Sequence, residues 1–330
     1  MPIASLSPRK ALPLLLALFW LPGASAQSKA SADPGAVSDD VTRFWDAYDR
    51  VRDVADPVQR TRLLQDLYIE PGSPGLKAFL EVKGCTAEKY ADLLQRYPRF
   101  WDSVRSRSLS AAARTVALQP ELEKFRALYP RMRPASIYFV VGCMTSGGTT
   151  RGDKVLIGTE LALGDPGVNI SELPERTHRW LEGYFATRPA EMLTLLNVHE
   201  YVHTQQKGPG PTLLAQSLYE GAADFVAERV AGKLPPLPYV QYGPTHLTAI
   251  KARFAREMDA SDYGSWLYNG NGDSAFGVGD LGYFVGYAIC RAYYERAADK
   301  REAIREIIEL DYTDAAAAKA FLDASGFYPR

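Results

Sequence analysis

His199-Glu200-Tyr201-Val202-His203 reads H-E-x-x-H, and no other stretch of the chain says as much about fold and chemistry. Two histidines four apart stand one above the other on the same face of a helix. Their imidazoles can therefore hold one zinc ion, and Glu200, one step round the helix, can act as general base toward a water at that metal. The whole chain has four histidines, two of them at this spacing. The competing reading is an ordinary amphipathic helix with two surface histidines. Pro189 is well placed to open the helix. Met192, Leu193, Leu195, Leu196 and Val202 give it a face to bury, which a metal helix needs because ligands must be held to within about 0.5 Å.

The third ligand separates a site from a coincidence, since a catalytic zinc takes three protein ligands and keeps one position open. The longer pattern H-E-x-x-H-x-x-G-x-x-H fails, because Gln206 and Pro209 occupy the glycine and third-histidine places. A following helix supplies a glutamate instead. Lys207-Gly208-Pro209-Gly210-Pro211 ends the first helix and turns the chain. A second helix beginning near Pro211-Thr212 carries Leu218-Tyr219-Glu220-Gly221-Ala222-Ala223-Asp224-Phe225. Two antiparallel helices can then face one metal through His199, His203 and Glu220, with Glu228 the next acid along. Asp224, one turn beyond Glu220, can accept a hydrogen bond from a ligand imidazole and fix its tautomer.

At these residues the chain resembles the gluzincin metallopeptidases, the thermolysin-like clan with H-E-x-x-H followed by E-x-x-x-D. The resemblance implies His199, His203 and Glu220 as zinc ligands, Glu200 as general base and Asp224 as the carboxylate behind a ligand. A closer similarity is to a bacterial family of uncharacterised predicted zinc-dependent proteases that includes relatives of gliding-motility lipoprotein B. Their pattern, H-E-Y-x-H-x-x-Q and then Y-E-G-x-A-D-F, matches His199 to Gln206 and Tyr219 to Phe225. Gly147-Gly148-Thr149, Val155 to Glu160, and Gly282-Tyr283 with Gly286-Tyr287 are similar as well, so the likeness covers roughly residues 135–300. The chain departs from it in having no cysteine to lipidate near its N-terminus.

The chemistry expected is hydrolysis of a peptide bond, with Zn2+, one per chain, as the cofactor and a peptide or protein as substrate. Glu200 takes the proton of the attacking water and passes it to the leaving nitrogen. One more donor should stabilise the developing oxyanion, typically worth about 3 kcal/mol. Tyr283 and Tyr287, four apart on one helix face, are candidates. Gly282 and Gly286 repeat with the same spacing, so close helix packing competes as the explanation of that pattern. His246, following the Gly243-Pro244-Thr245 turn, is a third candidate. His178 receives no role. Two other functions share the same residues: a non-catalytic envelope protein that binds a partner through a zinc-stabilised fold, and a zinc amidase acting on cell-wall peptides. An intact Glu200 favours the peptidase, since a purely structural zinc has no use for a base.

Charge is balanced, with 38 Lys and Arg against 39 Asp and Glu. With no basic stripe, nucleic acid is not an expected partner. Arg9-Lys10, the apolar run Ala11 to Leu21 and Ala24-Ser25-Ala26 read as a secretory signal peptide over residues 1–26. The remaining 304 residues contain no stretch apolar enough to cross a membrane. The expected location is the periplasm or the outside of a bacterial cell. Cys85, Cys143 and Cys290 allow one disulfide and one free thiol in an exported protein, with the pairing open. Nothing in the sequence specifies an oligomeric state.

The expected fold is α+β and mostly α. Residues 27–38 form a small-residue leader. Residues 39–133 form a helical layer, with helices over 57–69, 75–83, 87–95 and 98–129. Residues 134–330 carry the catalytic region. There Ile137 to Val141 and Lys154 to Leu163, joined through the Ser146-Gly147-Gly148-Thr149 turn, predict a small antiparallel sheet. Residues 154–162 are the expected edge strand for extended substrate. Arg151-Gly152-Asp153 is an incidental turn sequence.

Overall fold

The computed structural model describes residues 36–270, 274 and 276–328. The signal peptide read at 1–26 and most of the 27–38 leader lie outside them. Described residues from Asp33 onward belong to one unit.

Six helices open the described residues: α1 (Asp39–Val51), α2 (Pro57–Leu64), α3 (Pro74–Lys83), α4 (Ala87–Arg96), α5 (Pro98–Leu109) and α6 (Ala111–Leu128), with a π turn at Gln65–Ile69. Their boundaries follow local chemistry. Asp56 and Ser73 cap helices whose first residue is proline, Thr86 caps α4, and Gly84 ends α3 in the left-handed region. Aromatic packing fills the layer: Phe44 lies against Trp45, Tyr68 and Trp101, and all four are buried.

Three strands follow: β1 (Ser136–Val140), β2 (Gly148–Arg151) and β3 (Lys154–Gly158), in the order β1-β3-β2. The expected antiparallel pairing is that of β2 with β3, turning at Gly152. The β1 and β3 segments, read from sequence as the two arms of a hairpin, run parallel instead. Parallel neighbours need a connection of about a dozen residues or more, and residues 141–153 provide it by crossing the end of β3 and returning as β2. The substrate-edge expectation changes accordingly. β3 is the central strand, paired on both sides, and Thr159–Ala162 is a helical turn, α7. A strand without a free edge cannot accept another chain. β2 is the edge strand, while β1 pairs through an isolated bridge between Tyr138 and Val37.

The crossover loop is fastened to the helical layer. Cys143 forms a disulfide with Cys85, leaving Cys290 as a buried free thiol. The Tyr68 and Tyr90 hydroxyls both donate to the Val141 carbonyl, at 2.5 and 2.8 Å. Buried Glu160 accepts from the Gly142 and Met144 amides at 2.8 and 3.0 Å. Burial pushes its carboxyl up to about 7, and the backbone donors act in the opposite direction.

The second half is helical: α8 (Glu175–Ala186), a 3-10 turn at Pro189–Met192, α9 (Leu193–Gln205), α10 (Leu213–Ala231), α11 (Pro238–Thr245), α12 (Leu247–Glu257), α13 (Leu281–Arg296), α14 (Lys300–Glu309) and α15 (Ala315–Ser325). Helix α9 carries H-E-x-x-H and packs against α10, which carries Glu220. Helix α10 is buried along most of its length, held between α9 and α13. Its approach to α13 requires glycine: a Cβ on Gly286 would sit 1.7 Å from the Ser217 carbonyl oxygen, and one on Gly221 2.1 Å from the Tyr287 nitrogen. No described helix is long and apolar enough to cross a membrane.

Candidate metal centre

Helix α9 is fixed from behind by Val198, Tyr201 and Val202, all buried. The Tyr201 hydroxyl accepts the Ala135 amide at 2.9 Å, just ahead of β1. This leaves His199, Glu200 and His203 on the opposite side of the helix. Thr212 caps α10, accepting the Ala215 amide, and sets the register that brings Glu220 to the same point.

There the Nε2 atoms of His199 and His203 are 3.0 Å apart, and Glu220 Oε2 lies 3.3 and 3.2 Å from them. Three ligands about 2.0–2.1 Å from a tetrahedral metal lie about 3.3–3.4 Å from one another; the two His–Glu sides are close to this and the His–His side is slightly shorter, so a small outward shift would seat a zinc ion. Among the described residues these three form the one such group.

The hydrogen bonds behind the ligands make the same case. His199 Nδ1 lies 2.8 Å from Asp224 Oδ1, and the carboxylate can only accept. His203 Nδ1 lies 2.7 Å from Gln206 Oε1, and Gln206 donates its Nε2 to the Tyr219 carbonyl, which fixes the amide orientation. Both Nδ1 atoms are therefore donors. With both imidazoles neutral, as metal ligands must be, the Nε2 atoms turn lone pairs toward the Glu220 carboxylate, three acceptors facing one point, which is an arrangement for a cation.

The third ligand is held as well. Its remaining oxygen, Oε1, accepts from the Tyr268 hydroxyl at 2.6 Å and from Gln216 Nε2 at 3.4 Å, and Gln216 also donates to the Tyr268 oxygen. Tyr268 sits at φ +60, a backbone conformation that non-glycine residues adopt at a cost of about 1 kcal/mol or more and that clusters at functional sites. Tyr239 donates to Asp224 Oδ2 at 2.8 Å. Tyr219 stacks on the His203 ring with centroids 4.3 Å apart.

The electrostatics follow from these contacts. Burial opposes charge on His199, yet hydrogen bonds to Asp224 and Glu220 hold its pKa well above the usual histidine range. Burial likewise opposes charge on Glu220, and the two imidazoles hold its carboxyl well below the usual carboxylate range. Burial raises the Glu200 carboxyl, against the pull of His203 and His199. A carboxylate raised in this way is better matched to taking up a proton near neutral pH.

Through His199 the triad borders a cleft of about 1130 Å³ whose walls also include Glu200, Gly147, Gly148, Tyr268 and Tyr283. Of the residues expected from sequence, His199, Glu200, His203, Glu220, Asp224 and Tyr283 come together here. The Tyr283 ring is 6.3 Å from His199 and 5.6 Å from Tyr239, and its hydroxyl makes no hydrogen bond among the described residues. Tyr287 does not line the cleft: one turn further along the same face of α13, its hydroxyl donates to Glu228 at 2.8 Å. That bond also occupies Glu228, the other acid considered on α10. His246 is exposed, stacked on Tyr242 at 3.7 Å, and is likewise outside the cleft. Sequence reasoning assigned no role to Tyr239, Tyr268, Gln216, Tyr219 or Gln206. Helical spacing could have given Gln206 and Gln216, three residues after His203 and four before Glu220. Tyr268 comes from a loop, and Tyr239 from the first turn of α11 just after one, and neither keeps a spacing to the motif.

Two histidines four apart on one helix, a glutamate from the next, and a carboxylate beside them form a candidate zinc site, consistent with a gluzincin-type metallopeptidase and with peptide-bond hydrolysis. Comparison with family models, curated proteins and solved structures finds no match to the chain.

Proposed function

We propose that this chain is an exported zinc-dependent peptidase, of the family of predicted bacterial zinc proteases whose H-E-Y-x-H-x-x-Q and Y-E-G-x-A-D-F patterns it carries. The observation that bears most weight is Glu200. It stands beside the three ligands on the cleft wall, next to the free edge strand β2, where a structural zinc would have no use for it.

Zinc held by His199, His203 and Glu220 would supply Lewis-acid activation of a water and of the scissile carbonyl. The chain does the rest. Glu200 accepts the proton of the attacking water and delivers it to the leaving nitrogen. Asp224, fixed by Tyr239, keeps His199 in its ligating tautomer, and Gln206 does the same for His203. The edge of β2 can pair with an extended substrate. Tyr283, which lines the cleft and whose hydroxyl makes no hydrogen bond among the described residues, is the oxyanion donor. The Cys85–Cys143 disulfide supports export, because such bonds persist in oxidising compartments.

The test is digestion of a complex peptide library by the zinc-loaded protein, with Glu200→Gln as control. Cuts present in the first and absent in the second are expected, with zinc retained in both. A variant that cleaves at the native rate would remove Glu200 from the mechanism. No cuts by either protein at full zinc loading would favour a non-catalytic partner-binding role.

A further inference from the structure

One wall of the cleft is a single stripe of α8. Arg176, Trp180 and Tyr184 follow one another at four-residue spacing, so they lie on one face, with Arg179 beside them. The stripe has a direction relative to the metal. The Tyr184 hydroxyl lies against Gly147, 2.8 Å from where a Cβ on that residue would be, and the next residue, Gly148, touches Glu200. Tyr184 thus marks the metal end. Trp180 is one turn further out, its ring stacked at 6.2 Å on Tyr184, and Arg176 is a turn beyond that. Eight residues of helix span about 12 Å, the length of three to four residues of extended peptide.

The outer end of this wall carries uncompensated positive charge. Arg176 makes no ion pair or hydrogen bond among the described residues. Among the described residues Arg179 has one partner, an exposed Glu175 at 3.5 Å on its own helix, too loose and too hydrated to satisfy a guanidinium. Among the described residues, the acids that line the cleft are elsewhere: Glu200 and Asp224 at the metal site, and Asp280 accepting the Asn269 amide at 2.9 Å. Trp180 and Tyr184 present flat apolar faces between the arginines and the reacting centre.

From this juxtaposition we infer the substrate class: an extended peptide that lays an apolar or aromatic segment along Trp180 and Tyr184 and places a carboxylate, three to four residues from the scissile bond, on Arg176 and Arg179. The inference rests on the peptidase reading and deepens it. A guanidinium pair suits a carboxylate because its forked donors match the two oxygens. The carboxylate is an acidic side chain or the terminus of a short chain, and the chemistry of recognition is the same.

The test uses the zinc-loaded Glu200→Gln protein as a binder and fluorescent decapeptide pools as probes. One pool carries Glu at every fourth position and a matched pool carries Gln there, each with an amidated and a free C-terminus. The Glu pool is expected to bind about tenfold more tightly at low salt, with the advantage shrinking as salt rises and vanishing in Arg176→Ala/Arg179→Ala. Arg176→Glu/Arg179→Glu should transfer the preference to a pool carrying Lys. A preference for the free-acid Gln pool that the arginine variants abolish would identify the carboxylate as the chain terminus. Equal binding of all pools, or a preference that survives loss of both arginines, overturns the inference. Equal cleavage of the Glu and Gln pools by the wild-type protein overturns it while leaving the peptidase reading intact. Failure to bind or cleave any pool overturns both.

Discussion

Gly148 and Glu200 are in contact across the boundary between the sheet and the motif helix. A Cβ on Gly148 would lie 2.8 Å from Glu200 Oε1 and 2.9 Å from Leu196 Cδ1. The edge strand therefore begins at the base, and glycine there is a requirement of space. Gly148→Ala should push the carboxylate out of line and lower kcat/KM by about 10- to 100-fold, since small misplacements of catalytic groups cost this much. Zinc content should be unchanged. Native turnover in this variant would show that Glu200 has room the structure does not give it.

The ligand set can be graded by metal titration. Glu220→Ala removes an oxygen that faces both imidazoles and should lose most of the zinc. Asp224→Asn leaves the ligands in place but removes the acceptor of the His199 hydrogen bond, and should weaken zinc about 10- to 100-fold. Glu228→Ala, two turns along the same helix and bonded to Tyr287, should bind zinc as the wild type does. Full zinc stoichiometry in Glu220→Ala would place the third ligand elsewhere.

The two tyrosines of α13 separate cleanly. Tyr283→Phe should lower kcat by about 10²–10³ with little change in KM, the signature of an interaction made in the transition state. Tyr287→Phe should leave kcat alone and cost about 1 kcal/mol of stability through its lost bond to Glu228. Equal kinetic effects of the two substitutions would count against Tyr283 as the oxyanion donor.

Reduction of Cys85–Cys143 opens a loop of 58 residues of sequence separation. Chain entropy predicts a loss of roughly 4 kcal/mol. Comparing denaturant midpoints with and without reductant would measure it, and coincident transitions would show that the surrounding hydrogen bonds hold the crossover loop unaided.

The motif helix, its partner and the ligands were legible from sequence because each follows a helical spacing: four between His199 and His203, four between Glu220 and Asp224, and a Gly-Pro run between the pairs. The sheet was less so. Its strand segments were visible as β-branched runs, but their order depends on a crossover that no local pattern encodes, so the edge was assigned to β3 when it belongs to β2. Tyr239 and Tyr268 were invisible for a related reason. They enter the site from, or just after, loops, with no period to follow, and Tyr268 does so in a backbone conformation that tyrosine composition does not advertise. Tyr287 and His246 had plausible spacing and context but lie outside the cleft.

The crossover loop is tied to the opening helices by a disulfide and two tyrosine hydroxyls, and it delivers Gly147 and Gly148 to the base. Residues 39–133 supply none of the proposed catalytic groups, yet they set where the first glycine of the edge strand stands. The opening helices are thus not an interchangeable attachment: a graft of the later region onto another scaffold would have to rebuild the anchorage of this loop before it could reproduce the geometry around Glu200.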